Sequence, residues 1–353
     1  MHRPVSNPKS PWDTTHVEWL GEPPPARLEV FEEQARSILT ANDSPDLPMR
    51  WSINPYRGCF HACAYCYARR SHQYLGFGAG TDFERKIVVK INAADRLRQQ
   101  LRSTRWDGSP VLVSGNTDCY QPLEAVYGLT RACLCVFDEF DNPVVIITKG
   151  ALIRRDLDVL IRLARRDRVQ VFMSVAFASD AMARAVEPFA PSPTLRFETL
   201  RRLSDAGVPC GVSLAPCIPG LNESEIPQVL QRAKDAGARW AFLTLVRLSG
   251  EVASVFSDRL AEAFPERAAK VLSAIRQLRG GRLNESEFGA RMKGVGPRWD
   301  VVARLFELHR RRLGIEERPP TLPVARHASR HAQQGRLFDA PPTRAIKRRP
   351  GSV

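Results

Sequence analysis

The stretch GCFHACAYCY, residues 58–67, crowds three cysteines together and decides how the rest of the chain is interpreted. Cys59, Cys63 and Cys66 are separated by three and then two residues, and no fourth cysteine follows at similar spacing. The other cysteines lie at positions 119, 133, 135, 210 and 217. Disulfides are rare in a reducing cytosol, whereas thiolates are strong ligands for zinc and iron. The spacing therefore predicts a metal site.

Three interpretations of this cluster compete. A structural zinc site needs four ligands, which His61 or His72 would complete, but zinc sites usually pair two short cysteine motifs and a second pair is missing here. Unrelated core cysteines are the second interpretation, although three of them share this stretch with a glycine and two tyrosines. The third is an iron–sulfur cubane held by three thiolates, with one iron left for a ligand that is not protein.

Length and composition predict one large domain with appendages. The chain has 353 residues, of which 43% are apolar. We expect no transmembrane helix, because the sequence has no run of about 18 apolar residues. The first residues, MHRPVSNPKSPWDTTHVEWL, do not have the apolar core of a signal peptide. A cytoplasmic location is the resulting expectation.

The charge of the chain favours a polyanionic partner. Its formal net charge is +14, and such an excess of Lys and Arg attracts nucleic acid first. The alternative is that arginines simply occupy exposed helix faces, as in RRDLDVLIRLARRDR (154–168), where acidic residues are interleaved. DNA or another nucleic acid is therefore a predicted partner, and no membrane is expected.

From about residue 50, apolar β-branched runs alternate with amphipathic stretches. Strands are predicted at 50–55, 110–115, 143–149, 169–176, 208–216 and 239–246, with an additional short strand at 86–90. Helices are predicted at 64–74, 93–103, 124–138, 151–166, 193–206 and 223–236. This alternation predicts an α/β fold, a partial (β/α)6 barrel with its functional site at the carboxyl ends of the strands. Cys133 and Cys135, in an apolar run, are interpreted as core thiols.

Segments outside the barrel divide the chain further. Residues 1–48 form a Pro-rich N-terminal arm, with one short helix expected around 27–40. The barrel spans 49–247, and a helical extension spans 248–315, with helices at 251–279 and 298–313. Residues 316–353 form a basic tail without periodicity, which we expect to be disordered.

The cysteine motif resembles that of the radical S-adenosylmethionine (SAM) superfamily. The resemblance lies in C-x3-C-x2-C, with an aromatic residue before the last cysteine, in the loop after the first strand of a partial barrel. It implies a [4Fe-4S] cluster on Cys59, Cys63 and Cys66, with SAM on the open iron. It also implies an electron donor such as flavodoxin or ferredoxin, and a 5′-deoxyadenosyl radical that takes a hydrogen atom from the substrate.

Further stretches, over about 50–245, resemble the branch that contains spore photoproduct lyase and its uncharacterised bacterial relatives. SGNTDCYQPLE (114–124) corresponds to the turn near the SAM amino group, ITKG (147–150) to the carboxylate-binding strand end, and FMSVA (172–176) to a serine near the ribose or carboxylate. Each of these residues also has an ordinary structural interpretation, such as a turn, a solvated strand end or a surface ion pair. The cofactor-binding residues that the resemblance implies are Tyr65, Gly115, Asn116, Thr117, Lys149, Ser174 and Arg196.

The sequence departs from this branch at one position. Spore photoproduct lyase has a cysteine at the end of the second strand that returns a hydrogen atom to the product, and Gly115 stands there in this chain. Cys119 and Cys217 are the two cysteines that we consider for this catalytic role, although neither occupies the family position. Thymine-dimer repair is therefore in doubt, whereas radical initiation is not.

The basic tail contains a short motif. Gln334, Leu337 and Phe338 in QQGRLFDA form Q-x-x-L-F, which resembles the peptide that docks on the bacterial sliding clamp. Two adjacent apolar side chains in a polar arm would order on binding. The clamp is a predicted partner, with chance occurrence as the alternative.

The sequence therefore predicts a radical SAM enzyme, lyase-like, that acts on nucleic acid in DNA repair or base modification. A radical SAM enzyme acting on a protein or small molecule is the first alternative. A non-catalytic zinc protein that binds nucleic acid is the second.

Overall fold

The computed structural model describes residues 27–325, and a seven-stranded sheet lies at its centre. Six parallel strands follow the order β10-β9-β8-β7-β6-β3, and β2 pairs with β3 in the antiparallel direction. The predicted six-stranded partial barrel is confirmed. The strands are β1 (Glu29–Glu33), β2 (Leu39–Ala41), β3 (Trp51–Ile53), β4 (Tyr56–Arg57), β5 (Lys86–Lys90), β6 (Val111–Val113), β7 (Val144–Thr148), β8 (Val169–Ser174), β9 (Cys210–Cys217) and β10 (Trp240–Leu245).

Helices connect the barrel strands on the outside of the sheet, and three more follow β10. The α-helices are α1 (Thr81–Arg85), α2 (Ala93–Leu101), α3 (Glu124–Tyr127), α4 (Leu129–Glu139), α5 (Leu157–Ala164), α6 (Asp180–Val186), α7 (Pro193–Asp205), α8 (Ile226–Asp235), α9 (Val252–Ala263), α10 (Pro265–Gln277) and α11 (Pro297–Arg312). Short 3-10 segments occupy Tyr67–Leu75, Ala151–Asp156 and Glu223–Glu225.

Alternation along the strands gives the sheet two apolar faces. Val111 and Val113 of β6 belong to the main core with the helices, whereas Leu112 between them belongs to a second cluster on the other face. β8 is buried along its whole length, as expected for a parallel strand covered on both sides. In α5, Leu160 and Leu163 are buried and Arg162 is not, which is the amphipathic pattern predicted for an outer helix.

The helix expected around 27–40 is wrong, because this segment forms β1 and β2. β1 pairs in parallel with β5, and β4 pairs with the other side of β5, so that these three strands make a second small sheet. The hydrogen bonds that β5 offers at its edge outweigh local helix propensity. β2 in turn extends the barrel sheet at β3.

The prediction that the chain is disordered from residue 316 onward is also wrong for residues 316–325, the part of the tail that the structure describes. Glu316 forms a β-bridge with Trp240, and Leu322 is buried in the second apolar cluster of the sheet, which also contains Leu112. The backbone N–H of Ala325 donates to Gly108 at 2.9 Å. The apolar side chain of Leu322 covers sheet surface that would otherwise face water, which holds a Pro-rich segment without periodicity in place.

The two cysteines of the apolar run in α4 differ in exposure. Cys133 is buried as expected, but Cys135 is exposed, because two residues along a helix lead to a different face. None of the helices within 27–325 is long and apolar enough to cross a membrane. The first 26 residues, the rest of the tail and the motif Gln334, Leu337 and Phe338 lie outside the described residues.

Candidate active site

The cysteine loop, residues 58–67, follows β3 and the two-residue strand β4 at the carboxyl end of the barrel sheet. Cys59 and Cys63 are 6% and 7% exposed, and Cys66 is half-buried. Backbone hydrogen bonds from Ala62 to Cys59 and from Cys66 to Cys63, each 3.2 Å long, close two successive tight turns. The N–H of Cys59 donates to Phe83 at 2.9 Å. The three thiols are therefore held by backbone contacts of their own loop and its neighbours.

Arg69 anchors this loop from beneath. Its guanidinium is fully buried and donates to the carbonyl oxygens of Cys63 at 3.0 Å and Ala62 at 3.2 Å. It also bonds to the backbone of residues 79 and 80 and to the carboxylate of Glu84 at 2.5 Å. A buried cation with several acceptors in fixed positions restrains the backbone of the loop.

A second connection joins the cysteine loop to the loop after β6. Thr117 Oγ1 donates to the carbonyl oxygen of Gly58 at 2.6 Å, and the amide group of Gln121 donates to the same oxygen at 3.2 Å. Gln121 Oε1 accepts from the N–H of Phe60 at 2.9 Å. Gly58 has a φ of +77°, and a Cβ there would lie 2.9 Å from the carbonyl oxygen of Lys86. Only glycine fits this approach.

Asp118 joins three strand ends. Its carboxylate accepts from Thr148 Oγ1 at 2.6 Å and from the backbone N–H of Lys149 at 2.7 Å, and it lies 3.5 Å from Nδ1 of His61 in the cysteine loop. Burial alone would raise the pKa of Asp118, but His61 and these hydrogen bonds outweigh it and hold this pKa well below its usual range. Asp118 is therefore an ionised group whose partners belong to the protein.

A buried network surrounds Tyr65. The Tyr65 hydroxyl donates to Glu187, whose other carboxylate oxygen accepts from Arg196. Arg196 is buried and also donates to the carbonyl oxygen of Ser174, at the end of β8, at 3.0 Å. The ion pair of Arg196 is therefore internal, which rules out the surface pair considered from the sequence. The network fixes Tyr65 relative to β8.

Lys149 lies beside this network. Its ammonium is 5.7 Å from the centre of the Tyr65 ring. Burial would lower the pKa of Lys149, but Cys63 and Glu187 raise it above its ordinary value. Lys149 is a protonated cation between the cysteine loop and the end of β7, a position from which it could meet a carboxylate.

The turn after β6 has a strained backbone. Ser114 and Gly115 have φ values of +96° and +135°, and the Ser114 hydroxyl donates to the carbonyl oxygen of Thr117 at 2.6 Å. The hydroxyl of Tyr67 donates to the carbonyl oxygen of Gly115, so Tyr67 braces the turn. The N–H of Asn116 donates to the side chain of Asn54 at 2.9 Å. The structure thus brings residues 115–117 to the cysteine loop, with Thr117 used in an internal contact.

Cys119 and Cys217 lie elsewhere. Both are fully buried in the main hydrophobic core, whereas Cys63 and Tyr65 belong to a different cluster. Burial raises the pKa of both thiols far above the ordinary range. Hydrogen donation by either cysteine stays a prediction.

The cysteine loop fits an iron–sulfur cluster better than a zinc ion. Within residues 27–325, no group of three or more His, Cys, Asp or Glu side chains converges on one ion position. In a cubane the thiolates ligate different irons, so convergence on one point is not required. Of the two histidines considered as a fourth zinc ligand, His61 faces Asp118 and His72 packs against Phe77 and Phe83. Burial raises the pKa of the Cys59 thiol to about 12.

Sequence reasoning missed the residues that hold the site together. Arg69 bonds to Cys63, 6 residues before it. Gln121 bonds to Phe60 across 61 residues of chain, and Glu187 to Tyr65 across 122. Arg69 follows Cys66 closely, which is a usable signal. No sequence signal marks Gln121 or Glu187, because only the fold brings these residues to the cysteine loop and Tyr65.

Comparison with known proteins gives the same superfamily that the cysteine motif resembles. The model of the radical SAM superfamily matches residues 53–233. An uncharacterised protein of Mycobacterium tuberculosis is 38% identical over 222 residues, which are 62% of this chain and 65% of that protein. An uncharacterised protein of Methanocaldococcus jannaschii is 26% identical over 200 residues, 57% of this chain and 72% of that protein. The match thus spans 65%, less than two thirds, of the length of the mycobacterial relative.

Solved structures share the fold. A spore photoproduct lyase variant has a TM-score of 0.62 at 14% identity and covers 86% of this chain and 87% of its own. A second variant, with bound AdoMet and dinucleoside spore photoproduct, has the same TM-score, identity and coverage. The predicted barrel is confirmed, and the resemblance to spore photoproduct lyase is confirmed at the level of the fold. The family match covers half of the chain, including the cysteine loop, and the chain belongs to the radical SAM superfamily, whose cofactors are a [4Fe-4S] cluster and SAM.

Proposed function

We propose that this chain is an enzyme that cleaves SAM reductively and abstracts a hydrogen atom from a nucleic acid. The observation that carries the proposal is the cysteine loop, buried at the carboxyl ends of the strands and connected to β6 through Thr117 and Gln121. Cys59, Cys63 and Cys66 would hold the cluster. When bound, the cluster and SAM supply a reducing electron and a carbon radical.

The protein's own groups would orient SAM. Lys149 is a point charge suited to a carboxylate, and Tyr65 offers a ring whose hydroxyl is fixed by Glu187. The strained turn at Gly115 and Asn116 brings backbone close to the cysteine loop. Ser174 and Arg196 are less suited to a direct SAM contact. Arg196 already donates hydrogen bonds to Glu187 and to the carbonyl oxygen of Ser174. A direct SAM contact is therefore assigned to Lys149 and the Gly115 turn first.

Nucleic acid is the proposed substrate class. The net charge of +14 favours a polyanion, and the structural neighbour binds a dinucleoside photoproduct. The cysteine of the photoproduct lyases is replaced by Gly115, and Cys119 and Cys217 are core thiols. The proposal is therefore base modification or DNA repair in general. A protein or small-molecule substrate is the alternative, and a binding affinity that does not depend on salt would favour it.

Partners and location rest on the sequence and the family. Reductive cleavage requires an electron donor, for which flavodoxin or ferredoxin is proposed. Docking of Gln334, Leu337 and Phe338 on a sliding clamp stays a prediction, as does the cytoplasmic location.

Reductive SAM cleavage tests the proposal. After anaerobic reconstitution with iron and sulfide, the chain should produce 5′-deoxyadenosine when dithionite and SAM are added. Cys59→Ala, Cys63→Ala and Cys66→Ala should each abolish this product, because one corner of the cluster is lost. Cys135→Ala removes an exposed thiol from α4 and is the matched control, with the wild-type rate expected. Cleavage retained in all three variants, or one tightly bound zinc in place of iron, would refute the proposal.

A further inference from the structure

We propose that a cavity beside the cysteine loop binds a backbone phosphate of a nucleotide strand through Arg247 and Arg70, with Tyr74 stacking on an adjacent base. This inference rests on the proposed function and deepens it, because it names the surface that would receive the substrate. The cavity has a volume of about 220 Å³. Its lining residues are Tyr67, Arg70, Gln73, Tyr74, Arg247 and Ser249.

The cavity opens at the functional end of the barrel. Tyr67 directly follows Cys66 and contacts the Gly115 turn after β6. Arg247 and Ser249 follow the carboxyl end of β10, at the edge of the parallel sheet. A ligand in this cavity would therefore lie next to the cysteine loop, where parallel barrels place their substrates.

The partly buried guanidinium of Arg247 is a candidate ligand for an anion. It is half-buried, and its guanidinium lies 5.4 Å from the centre of the Tyr67 ring. Among the residues that the structure describes, no carboxylate lies within ion-pair distance of it, and the nearby Arg291 already bonds to Asp46 and Ser44. Burial, followed by the charge of Arg291, lowers the pKa of Arg247. An incoming phosphate would remove this electrostatic cost.

Arg70 supplies a second guanidinium on the same wall. Its Nε lies 3.5 Å from Glu251, and its side chain is still about half exposed. A Cβ at Gly250 would lie 3.1 Å from that Nε, so the chain after β10 passes close to Arg70. Two arginines and one carboxylate leave the cavity positively charged. The planar fork of arginine matches phosphate oxygens.

Two exposed tyrosines decide between a nucleotide strand and an acidic peptide. The exposed fraction is 85% for Tyr74 and 50% for Tyr67. Aromatic faces beside a cationic groove are how proteins bind single-stranded nucleic acid, because every base can stack on them. An acidic peptide would use the arginines and leave the exposed Tyr74 ring without a partner, whereas the Tyr67 ring already lies against Arg247.

Fluorescence anisotropy with a labelled single-stranded DNA oligonucleotide, over a series of KCl concentrations, tests this inference. Arg247→Gln should weaken binding and reduce the slope of log affinity against log salt by about 0.7, the value for one lost phosphate contact on a single strand. Arg70→Gln should act in the same direction. Tyr74→Ala should weaken binding about tenfold, whereas Tyr74→Phe should bind like the wild type, because the ring remains.

Arg202→Gln is the matched control, since it removes the same charge from an exposed position on α7. Wild-type affinity and slope are expected for it, and thermal unfolding should show that all variants are folded. The inference is overturned if Arg247→Gln and Arg70→Gln bind like this control. It is equally overturned if polyglutamate displaces the oligonucleotide efficiently and Tyr74→Ala has no effect, because the surface would then belong to an acidic protein.

The two proposals fail separately. Cleavage of SAM by the wild-type chain without oligonucleotide reports the radical chemistry alone. A chain that cleaves SAM but binds DNA independently of Arg247 retains the proposed chemistry and loses this surface. A chain that binds DNA through Arg247 but holds no iron loses the proposed function instead.

Discussion

Arg69 is a buried charge on which the shape of the cysteine loop depends. Its guanidinium is shared between two carbonyl oxygens of the loop and the carboxylate of Glu84. Removal of one partner of such a pair leaves a buried charge without compensation, which costs far more than the loss of a surface ion pair. The same reasoning applies to Arg196 and Glu187 behind Tyr65.

Arg69→Met should lower the free energy of unfolding by about 3–5 kcal/mol, because Glu84 is left buried and unpaired. Chemical denaturation of the protein before reconstitution measures this without interference from iron. Arg202→Met is the matched control, since Arg202 and its partner Glu198 are both exposed and the loss of this arginine should cost less than about 1 kcal/mol. The double variant Arg69→Met/Glu84→Gln should recover part of the loss. Equal stability of the two single variants would contradict the anchoring role.

Lys149→Ala should weaken SAM binding about 10- to 100-fold while the iron content stays at the wild-type level, because the proposed charge-assisted contact with SAM would be lost and none of the three cysteines is changed. Anaerobic calorimetry on the reconstituted protein gives the affinity, and metal analysis gives the iron content. Lys234→Ala, on the exposed surface of α8, serves as the control. Unchanged affinity in Lys149→Ala would remove Lys149 from the SAM site.

At the scale of elements, the sequence identified the barrel strands and missed the segments that pair at a distance. β7 and β8 were predictable because long apolar β-branched runs carry their own signal. β1 and β2 were not, because each is stabilised by a neighbour far along the chain. The segment 316–325 has no periodicity and is held by single contacts such as that of Leu322.

Leu322→Ala should lower the free energy of unfolding by about 2–3 kcal/mol, because the inner face of the sheet loses its cover at a residue that is 7% exposed. Val324→Ala, in the same segment but 52% exposed, should cost less than about 0.5 kcal/mol. Urea denaturation of both variants makes the comparison. If Leu322→Ala and Val324→Ala lowered the free energy of unfolding by similarly small amounts, this segment would not stabilise the barrel.

For the whole molecule, the alternation of apolar runs and amphipathic stretches allowed the fold class to be predicted, and the resemblance of the cysteine motif allowed the cofactors to be predicted. The three cysteines are local in sequence, so they could be singled out as candidate cluster ligands. The groups that position them, Gln121 and Glu187, are brought to the loop only by the packing of β6 and of the segment after α6. The cavity with Arg247 was equally hidden, since it joins the cysteine loop to residues after β10.

The central claim is that Cys59, Cys63 and Cys66 hold a cluster with one iron left for SAM. Low-temperature electron paramagnetic resonance of the anaerobically reconstituted, dithionite-reduced chain tests it most directly. The account predicts the signal of a reduced [4Fe-4S] cluster, with g values that shift when SAM is added. A missing cluster signal, or a signal that SAM leaves unchanged, would contradict the account.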